Sequence, residues 1–475
     1  MRSTDMTKGS IFKQLITFAI PILLTALLQS CYNLADSLML GRLADANALA
    51  GVSAAEPICA TIINLFLGLS AGIGVVVARA FGASDAKGVH HAVHSGIALG
   101  ITAGIVVTIL GIVLAPIVLT AMGADKEPLV FEEAVAYVTW YFAGGLFLVL
   151  YNVGAGILRA IGDSRRPLIF LIVSAIVNVV LNYVFIVFFS LGAAGAALAT
   201  SVSQGVSVIL IFATLMRSEG PYRLFLKDIR FYKDELSNSV KIGVPTGFQS
   251  VFISASNIII QSFIISFGAS AMVGSIAGNK IEAFVTVYFD SLSIALMTFV
   301  SQNYGARQGT RIKKGLYLTL TVSIIGTFIL GVLSVLFSDT LVGMFINPSE
   351  ADYAGILESG KTKILYLGLS YFLFGAVSSI SAVMRAFGKA THSMIIYILC
   401  FCIFRIVGLY FLRPFIPFID PNHIESVYVF YPISYALGTV AFILFYALGP
   451  IPKEINALIE EEKTFENEDT QALSV

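Results

Sequence analysis

Long apolar runs, separated by short breaks of charged residues, glycine or proline, follow one another along the chain. A run of about 20 apolar residues crosses the hydrocarbon core of a bilayer as an α-helix. This pattern predicts twelve such helices, and the runs longer than about 25 residues are typical of tilted spans. The predicted spans lie near residues 13–40, 50–80, 89–120, 133–158, 167–190, 193–217, 240–268, 271–303, 310–337, 359–387, 391–412 and 425–448.

The second half of this pattern repeats the first. Leu158–Gly162 (LRAIG) reappears as Met384–Gly388 (MRAFG), and Val77–Ala83 (VARAFGA) as Val300–Ala306 (VSQNYGA). Two further matches are Pro21 with Pro245 and Met122 with Met344. We infer two homologous six-helix bundles. Because six is an even number, both bundles enter the membrane in the same sense, and we expect a pseudo-two-fold axis along the membrane normal with a central cleft.

Composition agrees with a membrane location. Hydrophobic residues make up 57% of the 475 residues, and charged residues only 12%, whereas soluble domains carry about 25% charged residues. The predicted fold class is therefore an all-α integral membrane protein. We expect membrane lipids as neighbours.

Lysine and arginine predict the orientation. With the N-terminus inside, 22 of the 29 basic residues fall on the cytoplasmic side, which is the bias of inner-membrane proteins. On the outer side fall Arg42, Lys126, Lys361, Lys363 and Arg413, and within spans fall Lys280 and Arg405. We predict a multi-pass protein of the inner (cytoplasmic) membrane with both termini in the cytoplasm.

The charges also divide the chain into segments. These are a cytoplasmic tail over 1–12, an N-lobe over 13–217, a linker over 218–239, a C-lobe over 240–449 and an acidic cytoplasmic tail over 450–475. The linker mixes Phe225, Leu226, Ile229 and Phe231 with basic residues, which favours an amphipathic helix at the cytoplasmic interface over a plain solvated loop. The acidic and polar composition of residues 454–475 favours a disordered tail.

Polar groups within spans are the first candidates for function, because a charge there costs about 2.5–3.5 kcal/mol on insertion scales. Asp36 lies in the outer part of predicted helix 1. Asn178 and Asn182 share one face of helix 5, and Thr200 lies in helix 6 at a similar predicted depth. Together they offer a carboxylate and three oxygens, which suits Na⁺ or a proton on Asp36. Otherwise the amides and Thr200 simply join helices through hydrogen bonds.

A wider set of residues is predicted to line a substrate cleft. Lys280 and Glu282 are two positions apart and point in different directions, so each needs another partner or a watery cavity. Arg405 could pair with one of the buried-looking carboxylates, which also include Glu56. The full set of possible cleft residues is Asn33, Tyr32, Met39, Asn152, Gln261, Lys280, Glu282, Tyr288, Asp290 and Met297. Aromatic and methionine side chains suit adaptable clefts but are also common in ordinary cores.

Catalytic and metal motifs give little support to other functions. His90 and His94 form an i, i+4 pair that could bind a metal, with His91 beside them, but no second motif accompanies them. The sequence has no phosphate-binding Gly-x-x-x-x-Gly-Lys loop, His-Glu-x-x-His or Gly-x-Ser-x-Gly pattern. We predict a non-enzymatic transporter without a cofactor, driven by an ion gradient or a partner protein.

In their order along the chain, these motifs resemble the multidrug and toxic compound extrusion (MATE) transporters. The resemblance rests on Pro21, Asn33, Asp36 and Gly41 in helix 1, Arg79–Ala83, Arg159–Asp163 and, above all, Ser301–Ala306 (SQNYGA). It implies a V-shaped molecule of two six-helix lobes that exports diverse, often cationic, organic compounds by alternating access in exchange for Na⁺ or H⁺. We expect small organic molecules as substrates, no nucleic acid partner and a functional monomer.

The resemblance also implies roles for particular residues. Asp36 matches the family's helix 1 carboxylate, and Asn178 and Thr200 match positions that line its N-lobe cation site. Asn182 departs from members that have aspartate there. Some members have a helix 7 glutamate where this chain has Ile253, and a helix 10 aspartate where it has no carboxylate, so a C-lobe cation site of that kind is not expected.

Two other classes of function compete with the ion-coupled exporter. A flippase for a lipid-linked saccharide shares the broad architecture but would need a cleft rich in cations to hold pyrophosphate. The predicted spans offer only Lys280 and Arg405. A non-transporting receptor would have no need of the aligned carboxylate and amides, so the ion-coupled exporter is the preferred hypothesis.

Overall fold

The molecule is built from α-helices. In this computed structural model residues 5–44, 46–416 and 419–472 are described, and no β-strand occurs in those ranges. The helices are α1 (Ile11–Leu43), α2 (Ala46–Gly82), α3 (Ala86–Ala121), α4 (Pro128–Ala143), α5 (Gly145–Ala160), α6 (Arg165–Tyr183), α7 (Gly192–Met216), α8 (Lys233–Ile265), α9 (Ala269–Gly305), α10 (Gly309–Leu336), α11 (Ser338–Gly343), α12 (Tyr353–Gly368), α13 (Tyr371–Ala386), α14 (Ala390–Tyr397), α15 (Phe404–Val407), α16 (Glu425–Tyr428), α17 (Phe430–Leu448) and α18 (Pro450–Ala472).

Several helical segments have a wider or tighter winding. Val184–Phe188 continues α6 as a π-helical turn, and Ile398–Ile403 and Gly408–Leu412 are π-helical on either side of α15. Short 3₁₀ turns lie at Ala124–Lys126, Leu226–Asp228 and Arg413–Phe415. The corresponding segments of the two halves, α6 and α14–α15, therefore both contain π-helix, a feature that often marks functional sites.

Membrane-spanning capacity agrees with the predicted number of spans. Within the described ranges, ten helical stretches are long and apolar enough to cross a bilayer, and the count rises to twelve if each of two bent pairs is one span. The bent pairs are α4 with α5 and α12 with α13. The all-α membrane fold is thus confirmed.

The predicted spans 133–158 and 359–387 are wrong as continuous helices. The axes of α4 and α5 differ by 49°, and those of α12 and α13 by 50°. At the first bend the Ser201 hydroxyl donates to the Trp140 carbonyl over 2.9 Å, and a Cβ on Gly144 would overlap Ser201. At the second bend Ser370 donates to the Tyr366 carbonyl over 2.9 Å. In both halves a serine hydroxyl thus binds a carbonyl of the helix that ends at the bend.

The helices form two compact units. Unit 1 contains Ile20–Gly247, and unit 2 contains Thr7–Ala19 with Phe248–Val475. α1 and α8 therefore each contribute residues to both units, and each passes from one unit to the other close to its internal proline, Pro21 or Pro245.

The internal repeat is also visible in the backbone. Ser84 and Arg307, 223 positions apart, both have left-handed backbone, with φ of 55° and 56°. Gly162 and Gly388, which close the repeated Arg-Ala-x-Gly motif, have φ of 86° and 73°. Such values follow helix ends and strongly favour glycine at the second pair of positions. The two halves thus share their turn conformations as well as their sequence motifs.

Small residues allow close helix packing in unit 1. Gly68 and Gly72 on α2 face Gly243 and Gly247 on α8, and a Cβ on Gly72 would lie 2.6 Å from the Gly243 nitrogen. This paired Gly-x-x-x-Gly contact brings two backbones together as in many membrane helix pairs. The first turns of α8 are thereby fixed to unit 1.

The linker prediction is wrong. Between α7 and α8 the chain has only the 3₁₀ turn at Leu226–Asp228, and α8 begins at Lys233. The linker's apolar residues form no single helical face: Leu224 is buried and the Phe225 ring stacks on His94 with centroids 6.4 Å apart, whereas Leu226 and Phe231 are exposed.

The predicted disorder of the C-terminal segment is also wrong, because Pro450–Ala472 forms α18. Ile451 and Ile455 are buried, and Glu462 accepts a hydrogen bond from the Thr310 amide at the start of α10 over 3.1 Å. Two apolar residues one turn apart thus attach an otherwise acidic helix to unit 2.

Candidate cation and substrate sites

Unit 1 encloses a cavity of about 340 Å³. Its charged lining residues are Asp36 and Glu56, and its lining contains no lysine or arginine among the described residues. The remaining lining residues are Gln29, Tyr32, Asn33, Ser37, Val52, Cys59, Ala60, Ile63, Asn64, Leu67, Tyr137, Tyr141, Leu148, Tyr151, Asn152, Thr200 and Gln204. The cavity is therefore acidic and rich in neutral oxygen atoms.

The structure brings together the four residues predicted to bind a cation. The Asn182 amide nitrogen donates to Asp36 Oδ1 over 2.5 Å and to Asn178 Oδ1 over 3.0 Å. Thr200 Oγ1 donates to Asp36 Oδ2 over 3.4 Å. Asn178 donates in turn to Thr200 Oγ1 over 3.3 Å. One carboxylate, two amides and a hydroxyl from α1, α6 and α7 thus form a continuous hydrogen-bond network.

This network has oxygen atoms to offer a hard cation. Asn178 and Asn182 are fully buried, and Asp36 is half-buried. Asn182 Oδ1 is buried without a hydrogen-bond partner among the described residues. An unsatisfied buried carbonyl oxygen beside a carboxylate fits the ligands of Na⁺, and the carboxylate alone could accept a proton.

Local sequence explains why these groups meet. Asn178 and Asn182 lie one turn apart on α6, immediately before its π-helical turn, so both face α7. Ser174, one further turn back on the same face, donates to the Ser203 carbonyl on α7 over 2.8 Å. Ser203 Oγ lies 3.2 Å from the Tyr32 hydroxyl on α1. Three helices are thus held together by polar contacts around Asp36.

Other lining residues were only partly predicted. Asn33, Tyr32 and Asn152 line the cavity as expected, whereas Met39 does not. Sequence reasoning missed Gln204, whose buried Oε1 has no partner among the described residues. Its position one turn after Thr200 on α7 was the available signal. Missed too were Asn64 and the pair Tyr137 and Tyr141 on α4, whose i, i+4 spacing resembles ordinary core packing.

Unit 2 encloses a second cavity, of about 490 Å³. It is lined by Ile253, Asn257, Ile260, Gln261, Asn279, Glu282, Ala283, Thr286, Val287, Phe289, Lys363, Tyr371, Phe374, Tyr397, Phe401, Arg405, Tyr431 and Tyr435. Two of the predicted cleft residues, Gln261 and Glu282, are in this lining.

The other predicted cleft residues of the second half line neither cavity. Lys280 and Asp290 are exposed, and Met297 is buried. The half-buried Tyr288 donates from its hydroxyl to the Val322 carbonyl over 2.9 Å, a structural contact between α9 and α10. Lys280 fails to join Glu282 because residues two apart on a helix face different directions.

Two cations have surroundings that the sequence did not predict. Lys363, assigned to the outer side, is 2% exposed, and its ammonium lies 3.8 Å from Glu282. Arg405, for which a carboxylate partner was one possibility, has none within 4.0 Å among the residues that the structure describes. The sequence predicted neither the bend between α12 and α13 nor the burial of Lys363 in α12.

Comparison with known proteins decides the family. The MatE family profile matches residues 21–184 and 245–411, one match in each half and most of the chain in total. The chain belongs to the MATE family. It is therefore a multi-pass membrane transporter, and both the predicted family and the predicted two-lobe helical fold are confirmed.

Individual relatives cover nearly the whole protein. The probable multidrug resistance protein YoeA of Bacillus subtilis is 27% identical over 464 residues, which are 96% of this chain and 97% of that protein. An FAD transporter of Shewanella oneidensis is 25% identical over 397 residues, covering 82% and 86%. A solved MOP superfamily transporter from Pyrococcus furiosus has a TM-score of 0.86 at 21% identity, covering 96% and 99%. The last likeness concerns the fold alone.

Within this MATE protein the histidine cluster is structural. His90, His94 and Asp228 place potential ligand atoms within 4.8 Å of one another. However, His94 Nε2 accepts the Phe225 amide over 3.0 Å, and its Nδ1 therefore carries the proton, which it donates to the His90 carbonyl over 2.7 Å. His94 thus has no lone pair left for a metal. The cluster attaches the linker to α3.

The SQNYGA motif also has a structural role in this MATE protein. Asn303 is fully buried, and its side-chain oxygen accepts from Arg311 over 3.0 Å. Arg311 also donates to the Gly9 carbonyl and to Gln14, over 2.8 and 3.0 Å. The motif therefore joins α9, α10 and the beginning of the chain within unit 2.

Proposed function

We propose that this protein exports organic compounds by antiport with a cation, Na⁺ or H⁺, which binds at Asp36 in unit 1. The observation that carries the proposal is the Asp36 network. Within the described residues no basic group lies within 4.0 Å of this carboxylate, and the surrounding groups are neutral.

The charge of Asp36 makes this site suitable for exchange. A carboxylate within a membrane span is costly unless a cation or proton neutralises it. A permanent lysine or arginine partner would remove the need for a mobile cation. Because the neighbours are amides and a hydroxyl, neutralisation falls to an ion from solution, and the site's oxygen atoms suit either candidate.

The relatives support the proposal that transport is outward and that the transported molecules are small organic compounds. YoeA of Bacillus subtilis and the MepA proteins of Staphylococcus are named as multidrug resistance or export proteins. In our proposal the protein lies in the inner membrane with both termini in the cytoplasm and works by alternating access as a single chain.

The test is efflux of a fluorescent organic cation from proteoliposomes, with sodium and proton gradients imposed separately. Wild type is expected to respond to one of the two gradients, which names the coupling ion. Asp36→Asn keeps the shape of the side chain but removes its charge, and it is expected to reduce gradient-driven efflux to the level of protein-free liposomes.

Asp290→Asn is the matched control, because Asp290 lies in a predicted span but is exposed and lines neither cavity. It is expected to transport like wild type. Undiminished gradient-driven efflux by Asp36→Asn would refute the proposed site, and the same loss in Asp290→Asn would show that any carboxylate change impairs the protein.

A second candidate function is export of an anionic amphiphile, the class to which a lipid-linked saccharide also belongs. The unpaired guanidinium of Arg405 in the unit 2 cavity favours it, and so does the FAD transporter among the relatives. Efflux of FAD, which is fluorescent, tests this candidate in the same liposomes. Efflux of FAD without efflux of the organic cation would make it the leading function.

A further inference from the structure

The unit 2 cavity has the charge of a site for anions. Its charged lining residues are Glu282, Lys363 and Arg405, a sum of one positive charge. Its volume of about 490 Å³ lies in the range of cavities that bind small organic ligands. The contacts of Lys363 and Arg405 show which of these two cations is available to a ligand.

Lys363 is already neutralised by neighbours. Its ammonium lies 3.8 Å from Glu282 Oε2, donates to Asn279 Oδ1 and is 3.4 Å from the Ser275 carbonyl. Two hydrogen bonds and one nearby carboxylate, all from α9, thus surround the buried ammonium. Lys363 and Glu282 thus form an internal pair, and their charges cancel.

Arg405 has no carboxylate within 4.0 Å in the part of the chain that the structure describes. It is 6% exposed, and its Nε donates to Ser434 Oγ over 2.8 Å. The rings of Phe401, Tyr431 and Tyr435 surround the guanidinium, with centroids 5.6, 4.2 and 5.1 Å from its central carbon. Aromatic faces compensate part of a buried positive charge. They leave it unneutralised, and a guanidinium stays protonated in proteins.

A second lining group also lacks an acceptor. Gln261 Nε2 is buried without a hydrogen-bond partner among the described residues. Its Oε1 lies 3.5 Å from Ser275 Oγ, so the amide nitrogen is the free end. A positive charge and an unused N–H donor in one cavity both require acceptor oxygens.

The rest of the lining is aromatic. Phe289 and Phe374 have ring centroids 4.9 Å apart, and Tyr371 lines the same cavity. Arg405 itself lies on α15, between two π-helical turns. Such widened turns alter where side chains point and are frequent at functional sites.

We propose that the unit 2 cavity binds an organic oxyanion, a carboxylate or phosphate monoester on an aromatic body. The oxyanion lies against the Arg405 guanidinium, and the aromatic body packs on Phe289, Tyr371 and Phe374. As a description of cargo this inference rests on the proposed export function. As a description of a binding site it can be tested without any transport.

The test is calorimetric titration of the purified full-length protein in detergent with three matched probes. These are 2-naphthoate, 2-naphthyl phosphate and 2-naphthylmethylammonium, which share one ring system and differ in charge. Wild type is expected to bind both anions at least about tenfold more tightly than the cation. Arg405→Gln is expected to weaken both anions by about 30-fold, and Arg405→Lys by less, because lysine keeps the charge but loses the planar fork.

Arg413→Gln is the matched control. Arg413 also lies over aromatic rings, 4.7 Å from the Phe263 centroid, but it does not line the cavity. It is expected to leave all three affinities unchanged. Unaltered thermal unfolding of each variant, or the partial recovery in Arg405→Lys, separates a lost site from a lost fold.

A short-chain phosphatidylglycerol distinguishes a lipid headgroup from a free aromatic anion. If it binds in an Arg405-dependent way and the naphthyl anions do not, the proposal is overturned in favour of a lipid. Equal affinity for anions and cation, or unchanged anion affinity in Arg405→Gln, also overturns it. If the protein binds the anions but shows no antiport, the proposed function is refuted and the anion site remains supported. If it shows antiport but does not bind the anions, the anion site is refuted and the proposed function remains supported.

Discussion

The cavities of units 1 and 2 lie in homologous bundles but have opposite polarity. The first has Asp36 and Glu56 as its charged lining residues, and its unsatisfied lining atom is an acceptor, Gln204 Oε1. The second has an unpaired Arg405, and its unsatisfied lining atom is a donor, Gln261 Nε2. The two halves have thus kept the same helices while the charges of their cavities have diverged. This difference fits two separate roles, with a coupling cation bound in unit 1 and an organic molecule bound in unit 2.

The sharpest way to break this comparison is to remove the charge of unit 1 alone. Asp36→Asn is expected to lower gradient-driven transport by about 100-fold or more, because cation affinity follows the charge of the ligands. Binding of 2-naphthyl phosphate to the same variant is expected to change by less than about twofold, because the anion site lies in the other unit. A parallel loss of anion binding would contradict the division of roles.

The bend of unit 1 can be tested through Gly144. Gly144→Ala places a Cβ against Ser201, 2.8 Å from its Cα, and is expected to cost about 1–3 kcal/mol of folding free energy. The measurement is the thermal unfolding temperature in detergent. Gly205→Ala is the control on α7, because its Cβ would meet nothing closer than 3.6 Å. An equal drop in both variants would exclude the Ser201 contact as the cause.

A second carboxylate can be introduced into the Asp36 network of unit 1 by substituting Asn182. Asn182→Asp adds a second carboxylate to the Asp36 network, and the affinity for the coupling cation is expected to rise by about tenfold. Half-saturating concentrations of sodium or protons in the efflux assay measure it. Asn152→Asp, in the same cavity but outside the network, is expected to have little effect. If both variants gain equally, general cavity charge rather than this network controls affinity.

The smallest expected effect concerns the hydroxyl of Thr200. Thr200→Val removes the donor to Asp36 and the acceptor of Asn178, a loss of about 1 kcal/mol or fivefold in cation affinity. Thr214→Val serves as control, because among the described residues the Thr214 hydroxyl donates to a single group, the Leu210 carbonyl of α7, over 2.8 Å. An unchanged affinity in Thr200→Val would remove this hydroxyl from the site.

Much of unit 1's site could be predicted from sequence, and little of unit 2's. Asp36, Asn178, Asn182 and Thr200 are polar groups in apolar runs, and helical spacing places three of them at similar depth with Asn178 one turn deeper. Lys363 gave a misleading signal because it stands near the charged start of its span, and only the packing of α12 on α9 shows that it is buried.

The bends and the C-terminal helix were missed for a related reason. The break at Gly144 depends on Ser201, a residue from another helix, and hydropathy along one segment does not contain that information. α18 is mostly polar, and its attachment depends on the packing of Ile455 and Ile459 against Gly309 at the start of α10. At Gly144 and at α18 a tertiary contact thus overrides the local pattern.

The central claim is that a cation exchanges at Asp36 while an organic molecule leaves. The most direct measurement follows both movements in one liposome, with efflux of the organic compound recorded beside uptake of radioactive sodium or an internal pH dye. The account predicts that one of the two cations enters as the compound leaves, in wild type and Asp290→Asn, and that Asp36→Asn moves neither. Efflux without cation movement, or coupled movement that persists in Asp36→Asn, would contradict it.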